Sequence, residues 1–348
     1  MVDLDDLGRR LEEFLSSCER APVRVGDLSL LTGGYSLVTV AFTATIAGLS
    51  QRYVLRINPP GDAALSRTDR VAEGELLSAL TSAGSLPIPA LRWSDLPGTV
   101  LGAPALISDY VAGPQLLSHL RGVGEDEQRR LALRLAETIA VVHVEGGAAP
   151  ASMDRPVSWD AYIDSFIESW RALEAAYPEH NPFIRWVAAW LDSHRPVPAP
   201  LTLVHGEFQT ANVMLDADGG MRVIDWEYAH IGDPRIDLGW VQAVAAFTPP
   251  DPIALDPVGF CRRYCEVTGL GDEVVNPVTV AWFAVAAGFK AFGGLLEGMS
   301  ALAAGSNHLV TSAYLVSAMP FSHRLWRESI NGLEAAMTGI ESRMEVLS

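Results

Sequence analysis

The spacing of apolar positions changes character partway along the chain. At the N-terminus, MVDLDDLGRRLEEFL places Leu4, Leu7, Leu11 and Phe14 on one side of a helix, which predicts an amphipathic leading helix over residues 1–20. Residues 25–57 then alternate or run in β-branched stretches, broken at Gly33-Gly34 and near Gly48, which predicts a β-meander. Pro59, Pro60 and Gly61 end it. Residues 65–82 return to helical spacing with Leu76, Leu77 and Leu80, and LPIPALRW and GAPALISDYV follow as strands. The β-rich part closes near YVAGPQ, residues 110–115.

Beyond it the helical period dominates. EDEQRRLALRLAETIAVVHVE sets Leu131, Leu135, Ile139 and Val142 on one face, and two Trp-rich helical segments follow at about 159–176 and 183–193. LVHGEFQTANVMLD and MRVIDWEYA, joined by ADGG, read as a hairpin around a turn rich in residues that tolerate positive φ. The rest, to residue 348, is mostly helix. The expectation is an α+β chain of two lobes: residues 1–112, a small sheet with one helix behind the leading helix, and residues 113–348, mainly helical with an embedded hairpin.

Composition narrows the picture. With 348 residues, 49% hydrophobic and 19% charged, the chain can bury a large core. A net charge of −17 argues against nucleic acid as a partner. Cys18, Cys261 and Cys265 have no His at metal-ligand spacing and read as reduced thiols of a cytoplasmic protein. The N-terminus reads as helix rather than as a signal peptide. The run VTVAWFAVAAGFKAFGGLL, residues 278–296, nears the length of a membrane span, but it carries Lys290 and three glycines and ends at Glu297. A buried core helix is expected there, and no membrane partner.

The chemistry concentrates on the hairpin. Glu207 follows His205-Gly206, Asn212 stands five residues further on, and Asp225 stands thirteen beyond that at the end of a strand-like run. Taken singly, His205 could cap a loop and Asp225 could merely end a strand. Together an acid, an amide and a second acid are what phosphoryl transfer uses: one carboxylate to orient and deprotonate a hydroxyl, the other two side chains to hold Mg²⁺ against phosphates.

HGEFQTAN, VIDWEYAH and IGDPRIDLG resemble the signature of the aminoglycoside phosphotransferase and choline kinase-like family, small-molecule kinases with a protein-kinase-like fold. The wording WEYAHIGDPRIDLGW and the Trp-rich segment before it are similar to the macrolide-kinase-like branch. The resemblance implies Asn212 and Asp225 as magnesium ligands, Glu207 at the catalytic position where the family has Asp, and structural roles for His205, Asp233 and Asp237. It places LTGGYS where the family covers the phosphates, with Gly33 and Gly34 freeing backbone N–H groups and Ser36 adding a hydroxyl. Arg56 stands where kinases carry a strand lysine, Glu73 best matches its helix partner, with Glu75 as the alternative, and the backbone of Asp109, Tyr110 and Val111 would meet the purine. The implied donor is ATP or GTP with Mg²⁺, the implied acceptor a small hydroxylated molecule, and the assembly a monomer or homodimer.

Two departures stand out. Glu207 carries one methylene more than Asp, moving its carboxylate by roughly 1 Å, and a misplacement of that size can cost on the order of 100-fold in rate. Lys290, the sole lysine, either reaches the surface or a carboxylate such as Glu297, or lies at the substrate cleft against an anionic group. Trp159, Tyr162, Phe166, Trp170, Trp282, Phe283, Phe289 and Phe292 divide between core and an acceptor with apolar area, and Asp160 and Asp164 could meet an amino sugar. The small-molecule kinase reading competes with a nucleotide-binding pseudokinase, motivated by Glu207 and Arg56. It also competes with a protein kinase, which the lack of an activation segment after EYAHIGDPRID disfavours.

Overall fold

A computed structural model describes residues 3–31, 38–58, 69–177, 181–245, 247–305, 324, 326, 327 and 329–334. The chain groups into two compact units, residues 1–116, 147–153 and 211–229 in one and residues 117–146, 154–210 and 230–348 in the other.

The first unit is built on an antiparallel sheet. Helix α1 (Leu4–Glu19) starts at Asp3, whose carboxylate accepts from the N–H groups of Asp5 and Asp6, and it stops where Arg20 turns left-handed. Strands β1 (Val23–Leu30), β2 (Val38–Ile46), β3 (Leu49–Ile57), β4 (Leu91–Asp95) and β5 (Ala105–Asp109) pair in the order β1-β2-β3-β5-β4. Ala47 and Gly48, both at positive φ, form the two-residue turn between β2 and β3 that suits the right-handed twist of paired strands. Leu7, Leu11, Phe14 and Leu15 of α1 join Val40, Phe42, Leu55 and Ile107 in one apolar cluster. Helix α2 (Arg70–Ala83) is capped by Asp69 and ends at left-handed Gly84.

A short hairpin, Val213–Leu215 against Met221–Val223, packs into the same unit. The sequence reading gave all of this hairpin to residues 113–348; residues 211–229 group instead with the sheet. Backbone bonds account for that: Leu215 N donates to Pro114 O at 2.9 Å and Val223 N to Pro87 O at 2.7 Å. A Cβ on Gly113 would stand 1.9 Å from Leu215 O, so only glycine admits this approach.

The second unit is mainly helical: α3 (Leu116–Leu120), α4 (Glu125–Val144), α5 (Trp159–Ala176), α6 (Asn181–Ser193), α7 (Arg235–Ala245), α8 (Pro257–Thr268) and α9 (Pro277–Ala303). The strand expected from residue 203 to 216 divides here. Thr202–Val204 pairs with His230–Gly232, and His205 leaves the ladder for a loop whose Gly206 has φ +78°. Helix α9 carries the 278–296 run. It is long and apolar enough to cross a membrane, yet 65% of that stretch is buried within the fold. It opens with a capping box between Asn276 and Thr279.

Helices α7 and α9 touch backbone to backbone at Gly239, where a Cβ would lie 2.5 Å from Ala284 N and 2.6 Å from Phe283 C. Substitution Gly239→Ala must push the helices apart. A loss of about 1–3 kcal/mol is expected in urea unfolding, with Gly293→Ala, whose Cβ would meet only the side chain of Leu173, costing less.

Candidate active site

In the first unit, Arg56 is the last residue but one of β3, the central strand of the sheet, and pairs with Thr39 of β2 on one side and Leu106 of β5 on the other. Its side chain is 18% exposed and forks: Nη1 donates to Glu73 Oε1 at 2.7 Å, and Nη2 contacts Asp225 Oδ1. Glu227 Oε2 lies 3.9 Å from the same Nη2. Arg70, at the first turn of α2, pairs with the other oxygen of Glu73 and comes within 3.6 Å of Glu227. Two guanidinium groups and three carboxylates thus share one small region of the first unit. Burial, and then the Arg56 charge, lower the Arg70 pKa to about 10. Glu73, rather than Glu75, is the carboxylate that meets Arg56; Glu75 accepts a bond from Ser152 instead.

Sequence reasoning missed Arg70 and Glu227. Each had a local signal: Arg70 precedes Glu73 by one helical turn, and Glu227 follows Asp225 by two residues.

Asp225 stands beyond the hairpin strand with φ +70°, a conformation costly for a residue with a Cβ and frequent at functional positions. Ile224 N donates to Asn212 O at 2.9 Å, so the chain bearing Asn212 runs directly beside the one leading into Asp225. A carboxylate and an amide oxygen are hard donors of the kind Mg²⁺ prefers, and Asp225 has a second oxygen beyond the one facing Arg56. The residues therefore fit a magnesium ion.

The expected purine-facing residues begin with the last residue of β5. The Asp109 carboxylate accepts both Nε and Nη2 of Arg92 at 2.7 Å, and the Arg52 guanidinium stacks 4.0 Å from the Tyr110 ring centre. Gly113 N donates to Val111 O at 3.1 Å. Gly33, Gly34 and Ser36 lie outside the described residues.

In the second unit, the loop carrying Glu207 is held from behind by Asp237. This fully buried carboxylate accepts from His205 N at 2.7 Å and Gly206 N at 2.8 Å, and meets His143 Nε2 at 3.0 Å. His143 Nδ1 meets the Tyr264 hydroxyl at 2.7 Å. Burial, together with Asp233 and Asp237, raises the Tyr264 pKa, so that hydroxyl stays protonated beside His143. Burial alone would raise the Asp237 carboxyl, but the bond and electrostatic pull of His143, and then those of His205, outweigh it and leave the pKa lowered. Asp233 is spent on Arg235, at 2.6–3.0 Å, and on the Trp159 indole at 2.7 Å.

The aromatic side chains suspected of lining an acceptor site are largely core. Tyr162, Phe166, Trp170, Trp282, Phe283 and Phe292 are buried together, with Trp159 and Phe289 packed at the margin. Asp164 is paired with Arg195 at 2.7 Å, and Asp160 is exposed on the first turn of α5. A cavity of about 440 Å³ opens in the second unit between the end of α7 and the start of α9, with Trp326 and Leu333 among its apolar walls. Burial raises its one carboxyl, that of Asp251.

A five-stranded antiparallel sheet with one helix, followed by a mainly helical remainder with an inserted hairpin, defines a protein-kinase-like fold. The chain belongs to the phosphotransferase enzyme family, whose sequence pattern matches residues 27–272. A putative aminoglycoside phosphotransferase from Ralstonia eutropha JMP134 superposes with a TM-score of 0.71 at 20% identity, covering 93% of this chain and 98% of its own. Macrolide 2′-phosphotransferase MphH from Brachybacterium faecium gives 0.60 at 20% identity, over 89% and 97%. A thermostable variant of aminoglycoside phosphotransferase APH(4)-Ia, in a ternary complex with ADP and hygromycin B, gives 0.57 at 19% identity, over 90% and 98%. Among curated proteins, acyl-CoA dehydrogenase family member 10 of Mus musculus is 27% identical over 236 residues, 65% of this chain. The chain spans only 21% of that relative's length.

Removing the Asp237 carboxylate strands two backbone N–H groups and one imidazole. Asp237→Ala is expected to cost about 3 kcal/mol or more in chemical unfolding. Because folding lowers this pKa, the stabilisation is complete above the unfolded value of about 3.9 and fades as pH falls through the folded value. The stability gap between wild type and Asp237→Asn should therefore be widest near neutral pH and narrow below about pH 4.

Proposed function

We propose that the protein transfers the γ-phosphate of ATP or GTP to a hydroxyl group of a small molecule, with Mg²⁺. The observation that carries this reading is the forked contact of Arg56 with Glu73 and Asp225, the ion-pair framework on which kinases order a nucleotide's phosphates. In this reading residues 1–112 form the nucleotide lobe, with Gly33, Gly34 and Ser36 over the phosphates and the backbone of Asp109 to Val111 beside the purine. Residues 113–348 carry the catalytic loop and the acceptor site. The ADP bound by APH(4)-Ia supports a nucleotide donor of this general type.

Asn212 and Asp225 would hold the metal, which when bound neutralises charge on the phosphates. Glu207 accepts the proton of the acceptor hydroxyl as that oxygen bonds to the γ-phosphorus. The bond to the β–γ bridging oxygen breaks, and the nucleoside diphosphate leaves. Arg56 draws the departing negative charge, a role its fixed fork suits better than a flexible ammonium would. The Asp237 clamp holds the peptide groups of His205 and Gly206, which fixes where the Glu207 carboxylate starts.

A second reading, nucleotide binding without turnover, is favoured by the contact between Arg56 and Asp225, since it engages an oxygen that the metal would otherwise take. Incubation with γ-labelled ATP or GTP, Mg²⁺ and a panel of hydroxylated compounds separates the two. The panel includes antibiotics, sugars and hydroxylated acyl compounds, the last because the curated relative above is named an acyl-CoA dehydrogenase. Wild type is expected to yield a product heavier by one phosphoryl group. Glu207→Gln should lose about 10²–10⁴-fold in rate while binding nucleotide normally, and Asp225→Asn should lose both transfer and metal-dependent binding. Label that stays on the nucleotide with every acceptor supports the second reading.

A further inference from the structure

Lys290 has no counterpart elsewhere in the chain: it is the only lysine among 348 residues. It stands in α9, the most apolar helix, and its ammonium donates to Gly206 O at 3.3 Å, with the Trp240 ring centre 5.4 Å away. Gly206 immediately precedes Glu207. Solvent still reaches the side chain. The protein crowding the ammonium nevertheless lowers its pKa, against the opposing pull of Glu207 and Asp237.

The charges around it differ in availability. Asp237 is fully buried and committed to His143 and two backbone N–H groups. Asp233 is likewise enclosed and committed to Arg235 and Trp159. Neither offers a carboxylate to a ligand. A polyamine acceptor would want several carboxylates near the reacting hydroxyl. Among the described residues of the second unit, the loop bearing Glu207 instead has an ammonium docked on it. Any hydroxyl brought within hydrogen-bond reach of Glu207 puts its neighbouring substituents near a cation held on the preceding carbonyl.

We propose that Lys290 selects the acceptor by binding an anionic group, carboxylate or phosphate, that lies beside the hydroxyl presented to Glu207. The enzyme then favours anionic hydroxylated acceptors over neutral and cationic ones. This rests on the phosphoryl-transfer function proposed above and adds the acceptor's charge to it. The overall charge of −17 repels anions at long range, so their recognition has to be local. An ammonium with three donor directions can serve both a carbonyl and an anionic oxygen.

Matched acceptors test it: hydroxycarboxylates and sugar phosphates, each beside a neutral ester or parent sugar and an amine analogue, assayed with Mg²⁺ and both nucleotides. For wild type, kcat/KM is expected to favour the anionic member about tenfold or more, equivalent to about 1.4 kcal/mol. In Lys290→Met the ratio of anionic to neutral should fall toward one, chiefly through KM for the anion. Lys290→Gln, which can still donate to Gly206 O but carries no charge, should lose the preference equally; thermal melting confirms that both variants fold. Carboxylate and phosphate series run side by side identify which anion is read. Equal use of neutral or amine acceptors by wild type, or a preference that survives in either variant, overturns the proposal while leaving the kinase function standing. No transfer to any member, although Mg²⁺-nucleotide binds, overturns both.

Discussion

The site depends first on the position of Arg56. A largely enclosed guanidinium near the end of the sheet's central strand has to be neutralised, and Glu73 of α2 and Asp225 beyond the hairpin supply the carboxylates. That requirement ties three separate pieces of chain into one arrangement: β3, the first turns of α2, and the hairpin that packs on Pro87 and Pro114. Arg70 and Glu227 extend it, giving two guanidinium groups and three carboxylates, an excess of one negative charge suited to a divalent cation. The side chains of Glu73 and Glu227 are 2% and 4% exposed, and each faces both arginines, so either guanidinium can be removed without leaving a buried carboxylate unpaired. The lower exposure of these two acids than of Asp225, at 30%, also divides the labour: the enclosed pair supports, and the accessible one is left to meet a ligand.

The loop bearing Glu207 is shaped by a separate constraint. Gly206 adopts a positive φ, and the two N–H groups at His205 and Gly206 converge on one buried carboxylate. Asp237 reaches them from the first turn of α7, and α7 in turn lies against α9 at a contact that admits no side chain on Gly239. The close packing of two helices thus fixes a peptide plane next to the proposed base. Such a chain of rigid contacts suits a proposed base, because small displacements there are costly.

Much of this was legible in the sequence. The helix expected at 159–176 runs from Trp159 to Ala176, and the leading helix buries Leu7, Leu11 and Phe14 as its periodicity implied. The 278–296 run became the central helix of the second unit. What periodicity could not encode was partnership. Residues 203–216 read as one strand because both halves are apolar, yet the first half pairs with His230–Gly232 and the second with Met221–Val223. Arg70 and Glu227 drew no expectation at all, since a buried ion pair and a solvated one have the same letters. Trp282 and Phe283 could have faced a ligand or the core, and only packing placed them in the core. The family signature, by contrast, depends on short-range spacing, which sequence carries directly.

The proposed function requires a nucleotide phosphate group and its metal to engage the Arg56 framework. Calorimetric titration of wild type and Arg56→Met with non-hydrolysable ATP and GTP analogues, with and without Mg²⁺, addresses that most directly. Wild type should bind at least one analogue, more tightly with Mg²⁺, and Arg56→Met should weaken binding about tenfold or more while remaining folded. Binding that ignores both the metal and Arg56, or no binding of either analogue, would contradict it.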